Sequence, residues 1–441
     1  MRVLKFGGTS VGNAERIKNV ASIVSAAGKN IVVLSAMSGT TNTLVEINGY
    51  LYNHNLEGAR DTISTLKKKY VAVVEELYSK EENKTKALSF IKETFHYLSS
   101  FTKELFGDVQ ERLILAQGEL ISSFLLATYL EEQGVNVKLI PALSFMRIDA
   151  QGEPDTDKIR ESLLPLLDET SDTDLYLTQG YICMNSRDEV DNLKRGGSDY
   201  TACLVGAAIQ AEEIQIWTDI DGLHNNDPRV VENTSAVRHL HFEEAAELAY
   251  FGAKILHPTC ILPARYANVP VRLLNTMEPD APGTLIDNVP DTGSIKAVAA
   301  KDNIVAIKIK SSRMLLAHGF LRKVFEIFES YRTSIDMICT SEVGVSLTID
   351  DTRYLNEIVH DLKKFGTVSV DLDMCIICVV GDMVWSNRGF ESRVMSALKD
   401  IPVRMVSYGG SNYNISILVR EEDKAETLRS LSHKLFDNDK R

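Results

Sequence analysis

Apolar positions along this chain follow two rhythms, and their alternation outlines the architecture before any single residue is considered. Short apolar runs, VLKF and then NIVVLSA, have the pattern of strands buried on both faces of a parallel sheet. Between them Ile17, Val20, Ala21 and Val24 recur at helical spacing, so the opening predicts a β-α-β unit with a glycine turn after its first strand. From residue 56 to 132 the pattern is helical and highly charged, ending in the amphipathic ELISSFLLATYLEEQ. Strand-like runs return at VKLIPA, DLYLTQGYI, EIQIWTD and VPVRLLN, with the helical YTACLVGAAIQA and FEEAAELAYFGAKIL interleaved. This predicts an α/β fold, a three-layer domain with a mainly parallel sheet.

The stretch NTMEPDAPGTLIDNVPDTGS, rich in Pro, Gly and Asp, marks a boundary near residue 290. The first domain is thus expected over 1–290 and a second region over 291–441. The second region repeats itself. One copy runs from HGFLRKVFEIFESYRTSIDMICTS to VSLTID, the other from RGFESRVMSALKDIPVRMVSYGGS to ISILVR, and an apolar strand precedes each (IVAIKI, then CIICVV). A period of about seventy residues is too long for a solenoid. Two small α+β units of ferredoxin-like type follow from the pattern, over about 303–372 and 373–441, with intertwining of the two left open.

Composition narrows the picture in a few places. Forty-eight basic against sixty-one acidic residues gives a net charge of −13, which argues against a general nucleic-acid or anionic-membrane surface. The run Lys67-Lys68-Lys69 reads as one solvated face of a charged helix. Cys375 and Cys378 form a C-x-x-C, but inside MCIICVV, where strand geometry sends residues three apart to opposite faces; packing is expected there, not metal or redox chemistry. No signal peptide and no run of ~18 apolar residues is recognised, so a cytoplasmic protein with reduced thiols is expected.

Six stretches could carry chemistry. KFGGTS ends the first strand in glycines that bring backbone N–H groups to one point, with Lys5 adding a positive charge, a combination that suits a polyphosphate. A tight turn with a surface lysine explains the hexapeptide as well. GTTN at 39–42 closes the second parallel strand, where ligands of open sheets gather; Thr41 would bond a small substrate, or the stretch is an ordinary turn. QGE at 117–119 is expected to open the long helix, with Glu119 either facing a substrate ammonium or stabilising the helix start. In RGGSDYTA, Arg195 suits a carboxylate clamp and Asp199 falls in the next helix's first turn; capping alone explains neither the arginine nor both glycines. WTDIDGLHNNDPR is long for a loop, with Asp219 placed for ribose hydroxyls and Arg229 for phosphate. Lys254 in FGAKILHP reads, on spacing alone, as a lysine satisfying helix-end carbonyls.

In combination and in order, KFGGTSV, SAMSGTTN, QGE, RGGSDYTA, WTDIDG, DPRVV and FEEAAELAYFGAKILHP resemble the amino-acid kinase family, and within it the aspartate kinases. The tandem repeat resembles that family's pair of ACT regulatory units. HGFL, SIDMICTSE and VSYGGSN place the resemblance nearest the monofunctional lysine-sensitive class, without a fused homoserine dehydrogenase. The resemblance implies transfer of the ATP γ-phosphoryl group, with Mg²⁺, to the β-carboxylate of L-aspartate, opening the biosynthesis of lysine, threonine and methionine. It implies that Lys5 and Lys254 stabilise the transferring group, reversing the structural reading of Lys254, and that Asp199 organises the site. Phe6, Gly7, Gly8, Thr218, Asp219, His224 and Arg229 would complete the nucleotide pocket. Thr41, Glu119, Arg195, Gly196, Gly197 and Ser198 would hold aspartate. His224 stands where the near relatives carry tyrosine.

The same resemblance implies an effector amino acid, lysine, bound by Met314, Phe320, Leu321, Ser334, Ile335, Asp336, Thr340, Ser341 and Glu342 in a homodimer, or dimer of dimers, formed through the ACT units. Ala317 departs from those relatives' serine. Two other readings stand beside it: a kinase of the same fold acting on glutamate, acetylglutamate or a nucleotide, and a catalytically silent amino-acid sensor.

Overall fold

The computed structural model describes residues 1–167, 173–193, 196–252, 257–314, 318–384 and 386–436. Its strands begin as the apolar runs require: β1 (Val3–Phe6) and β2 (Asn30–Leu34) are buried at every position. α1 (Ala14–Ala26) links them, capped by Asn13, whose side chain accepts from the Arg16 N–H, and it buries Ile17, Val20, Ala21 and Val24. A helical run follows, α2 (Thr40–Tyr52), α3 (Leu56–Leu77), α4 (Glu81–Ser100) and α5 (Asp108–Glu132). α5 is the one helix among the described residues long and apolar enough to cross a membrane, yet most of it is buried in the core.

β3 (Val137–Leu139), α6 (Thr156–Leu163), β4 (Leu175–Gln179), the hairpin β5 (Ile182–Met184) and β6 (Val190–Asn192), α7 (Gly197–Ala208) and β7 (Ile214–Thr218) come next. β8 (His239–His241) and α8 (Phe242–Tyr250) intervene before α9 (Leu262–Tyr266), β9 (Val271–Asn275) and β10 (Thr284–Asp287). The described chain divides into two compact units, Met1–Leu223 with Leu256–Asn288, and His224–Ile255 with Val289–Arg441. β8 and α8 therefore belong to the second unit.

In the first unit the strand order is β3-β4-β2-β1-β7-β9-β10, parallel from β3 to β9 and antiparallel at β10. β1 lies in the middle, so the carboxyl ends of β2, β1 and β7 emerge side by side, where ligands of such sheets collect. Leu4 and Phe6 pack into the large cluster with α1–α5. Alternation then turns Lys5 to the opposite face, which α7 covers.

The second unit contains one antiparallel sheet. It is built from β11 (Ile295–Lys310), β12 (Ile338–Ser341), β13 (Gly344–Ile349), β14 (Thr367–Gly381), β15 (Met405–Tyr408) and β16 (Asn414–Arg420), in the order β12-β13-β11-β14-β16-β15. α10 (Phe320–Ser330), α11 (Leu355–Leu362), α12 (Phe390–Ala397) and α13 (Lys424–Leu435) fill two cores. β11 and β14 run through both repeats. The stretch Val305–Lys310 pairs with β13 and with Thr367–Asp371, whereas Ile295–Lys301 pairs with Ile376–Gly381, with register shifts between Lys301 and Ala306. The second repeat thus takes its fourth strand from residues that precede the first. Cys375 and Cys378 are both buried on β14.

Candidate active site

Lys5 is the one charged position on β1, and it is nearly enclosed. Its Nζ lies 2.7 Å from Asp199 Oδ1, with side-chain exposures of 11% and 17%. Asp199 sits in the first turn of α7, which starts at Gly196 in the left-handed region, φ +66°. A Cβ at Gly196 would overlap Cys260 Sγ, so glycine is required there on both conformational and steric grounds. Burial pushes the Cys260 thiol up to about 12, which keeps this neighbour of the site neutral. Beyond Lys5 the chain turns tightly: Gly7 N–H donates to the Trp217 carbonyl (3.3 Å), Ser10 N–H to the Gly7 carbonyl (2.9 Å) and Ser38 N–H to the Gly8 carbonyl (3.0 Å).

Next to this pair a cavity of about 380 Å³ opens between β2, α2, α5 and the start of α7. Gly8, the Ser35–Gly39 turn, Thr41, Asn42, Glu119, Tyr181, Gly197 and Ser198 line it. Two helix N-termini reach the same space, α2 with Thr41 and Asn42 and α7 with Gly197 and Ser198. N–H groups and helix dipoles there favour negative charge. Among the described lining residues one acid faces them. Glu119 is 4% exposed; its Oε1 accepts from the Ala36 N–H at 3.2 Å, while its Oε2 is buried without a partner. Burial pushes its carboxyl up to about 8, against a smaller opposing pull from the Ala36 amide. The cavity therefore offers anion-binding ends on two sides and one unsatisfied carboxyl oxygen on a third.

Residues 1–275 match the Amino acid kinase family and residues 377–435 the ACT domain. Lysine-sensitive aspartokinase 3 of Escherichia coli K12 is 32% identical, over 99% of each chain. The crystal structure of E. coli aspartokinase III with aspartate and ADP (R-state) superposes with TM-score 0.81 at 31% identity, over 99% of this chain and 100% of that one. The same protein with lysine and aspartate (T-state) gives TM-score 0.79 at 31% identity, over 99% of each chain. The chain belongs to the aspartokinases. Aspartokinases are ATP-dependent kinases, and the readings of the chain as a glutamate or nucleotide kinase, or as a silent sensor, have no support among these relatives.

Several expected site residues of this aspartokinase come together. Lys5, Gly8, Thr41, Glu119, Gly197, Ser198 and Asp199 lie at or beside the one cavity. Thr218, at the end of β7, donates its hydroxyl to Asp219 (3.1 Å), and its carbonyl accepts from Thr276 N–H (2.8 Å). His224 and Arg229 fall in the second unit, apart in the chain's division from Thr218 and Asp219. There His224 Nδ1 meets the Thr234 hydroxyl at 2.8 Å, and the Arg229 guanidinium pairs with Asp227 (2.7 Å). Arg195 and Lys254 lie outside the described residues, as does Ala317.

QGE is corrected in position. Glu119 lies well inside α5, which opens at Asp108 with the Gln110 side chain accepting from the Gly107 N–H. Gly118 serves close approach instead of a turn: a Cβ there would stand 2.7 Å from Ala36 Cβ. Sequence reasoning did not single out Tyr181, Ser38 or Asn42 as lining residues. Tyr181 follows a strand end at positive φ, a conformation with no composition signal.

In the second unit Phe320 and Leu321 begin α10, Ser334–Asp336 precede β12, and Thr340 and Ser341 end it, with Glu342 in the turn beyond; Met314 closes the short turn after β11. Asp336 is not the exposed loop acid its setting suggests. Its side chain is 1% exposed, and its Oδ1 accepts from Lys301 Nζ (2.7 Å) and from the Tyr250 hydroxyl (2.8 Å). Oδ2 is buried without a partner. Lys301 also pairs with Asp350 at 2.9 Å and lies over the Tyr250 ring, 4.4 Å from its centroid.

Proposed function

We propose that this chain transfers the ATP γ-phosphoryl group to the β-carboxylate of L-aspartate, and that the 380 Å³ cavity is the aspartate site. The observation that carries the reading is its charge layout. Aspartate has two carboxylates and one ammonium; the cavity has two helix N-termini and one buried carboxyl with an unsatisfied oxygen. Glu119 takes the ammonium, and the amides of α2 and α7 take carboxylate oxygens. The attacking carboxylate is already ionised at neutral pH, so no general base is needed. Catalysis then consists of alignment and charge neutralisation.

Lys5 meets the transferring phosphoryl group in this reading, which its ion pair with Asp199 supports by orienting its ammonium. Gly7 and Gly8 let the phosphates approach, and Thr218 and Asp219 meet the nucleoside; Phe6, His224 and Arg229 keep only the nucleotide roles that the family resemblance gives them. Arg195 and Lys254 keep the clamp and phosphate roles that the family resemblance gives them. Among the described residues no three His, Cys, Asp or Glu side chains converge as a metal cage. Mg²⁺, which keeps waters and takes phosphate oxygens, would arrive bound with ATP and neutralise phosphate charge. Lysine is the proposed effector, bound at Asp336 and its neighbours, with the ACT units forming the contact of a homodimer.

ADP release from Mg-ATP and L-aspartate, with and without millimolar lysine, tests the whole reading. Turnover suppressed by lysine supports both the kinase and effector assignments. Turnover indifferent to lysine removes the effector assignment alone. Absence of turnover with aspartate, in a folded protein that binds ATP, overturns the substrate.

A further inference from the structure

The Ser35–Asn42 turn forms one wall of the cavity, and its own sequence does little to hold it. Gly39 adopts φ +79°, and α2 begins there with no side-chain cap. The amide of Thr40 goes to the Met37 carbonyl (2.9 Å) and that of Thr43 to the Gly39 carbonyl (3.1 Å). The amides left to face the cavity at the helix start are those of Thr41 and Asn42, and their direction depends on how the Ser38–Gly39–Thr40 peptides are set. Part of that setting is local to the site: Ser38 N–H bonds the Gly8 carbonyl, and the Ser122 hydroxyl bonds the Ser35 carbonyl at 2.7 Å.

The rest comes from α3. Lys69 Nζ donates to the Ser38 carbonyl at 2.7 Å. The hydroxyl of the next residue, Tyr70, meets the Thr40 hydroxyl at 2.8 Å, with both side chains fully buried. Successive helix positions diverge by about a quarter turn, so Tyr70 enters the core while Lys69 runs along the rim. Together they grip the turn on both sides of its left-handed glycine.

We propose that Lys69 and Tyr70 are positioning residues for the aspartate site. They fix the peptide planes that aim the first amides of α2 at a substrate carboxylate, and Lys69 adds a positive charge at the edge of that anion-binding end. The assignment rests on reading the cavity as the aspartate site, and the aspartate KM of Glu119→Gln tests that reading separately. A lysine that merely satisfies a carbonyl and a tyrosine that merely fills the core would affect stability, with no preference between the two substrates.

The test is steady-state kinetics of the full chain carrying Lys69→Met, Lys69→Arg or Tyr70→Phe, each with a urea unfolding curve. Lys69→Met and Tyr70→Phe are expected to raise the aspartate KM roughly fivefold each, the scale of one hydrogen bond. The ATP KM and kcat stay within about twofold of wild type on the same reasoning. Lys69→Arg, which keeps the donor and the charge, restores most of the loss. An unchanged aspartate KM in Lys69→Met overturns the proposal, as does a parallel rise in both KM values. Should Tyr70→Phe fold poorly, the two Lys69 variants decide the matter.

Discussion

Glu119 shows how much one residue's setting can decide. A carboxyl lifted to about 8 by burial is mostly protonated at neutral pH in the empty cavity, yet an ammonium partner requires the carboxylate. Aspartate binding should therefore displace a proton, and the aspartate KM should fall as pH rises from 6 toward 8. Glu119→Gln should flatten that profile and raise the KM by about tenfold or more, the scale of a lost charge-assisted bond, which initial rates across this range would check. Folding responds with the opposite sign. The native state holds a proton that the unfolded chain, near its ordinary 4.5, has released, so this group's contribution falls as pH climbs from about 4.5 to 8. Urea midpoints should show the loss in wild type and not in Glu119→Gln.

Among the elements, α7 depends most on one backbone conformation. Gly196→Ala meets both a left-handed φ and the Cys260 sulfur, so α7 must move and carry Ser198 and Asp199 with it. A loss of about 1–3 kcal/mol in stability is expected, together with at least a tenfold fall in kcat/KM; chemical unfolding and initial rates would check both. The strands were legible because strands buried on both faces read as predominantly apolar runs, and β1, β2, β4, β7 and β9 all fall on such runs, broken only by single polar positions or polar ends. The glycine in QGE misled for a physical reason. A glycine can mark a helix end or permit two backbones to approach, and only the position of Ala36 beside Gly118 distinguishes these. The charge run at 67–69 hid Lys69 in the same way, since its partner is a carbonyl thirty-one residues away. Residues 224–252 carried no local sign that they pack with the C-terminal unit, where Val231 joins its core and Asn226 Nδ2 donates to the Leu428 carbonyl (3.0 Å).

For the whole molecule, regulation should be separable from turnover. Asp336 is shared between Lys301 and Tyr250, and burial raises its carboxyl while Lys301 pulls it back. Asp336→Asn is expected to lose inhibition by lysine, by tenfold or more in the concentration needed, with turnover in its absence kept within about threefold; rates across a lysine titration would check it. The repeat itself holds a further consequence. Because β11 and β14 each thread both repeats, neither repeat is a removable cassette. A chain cut between them would strand Ile295–Lys301 without its neighbour Ile376–Gly381 and strip one half of its outer ribbon. Gene duplication can make such a pair, but later recombination can exchange it only whole. Trading one half for another would cut across both shared strands, whereas substitution within the woven pair leaves them intact.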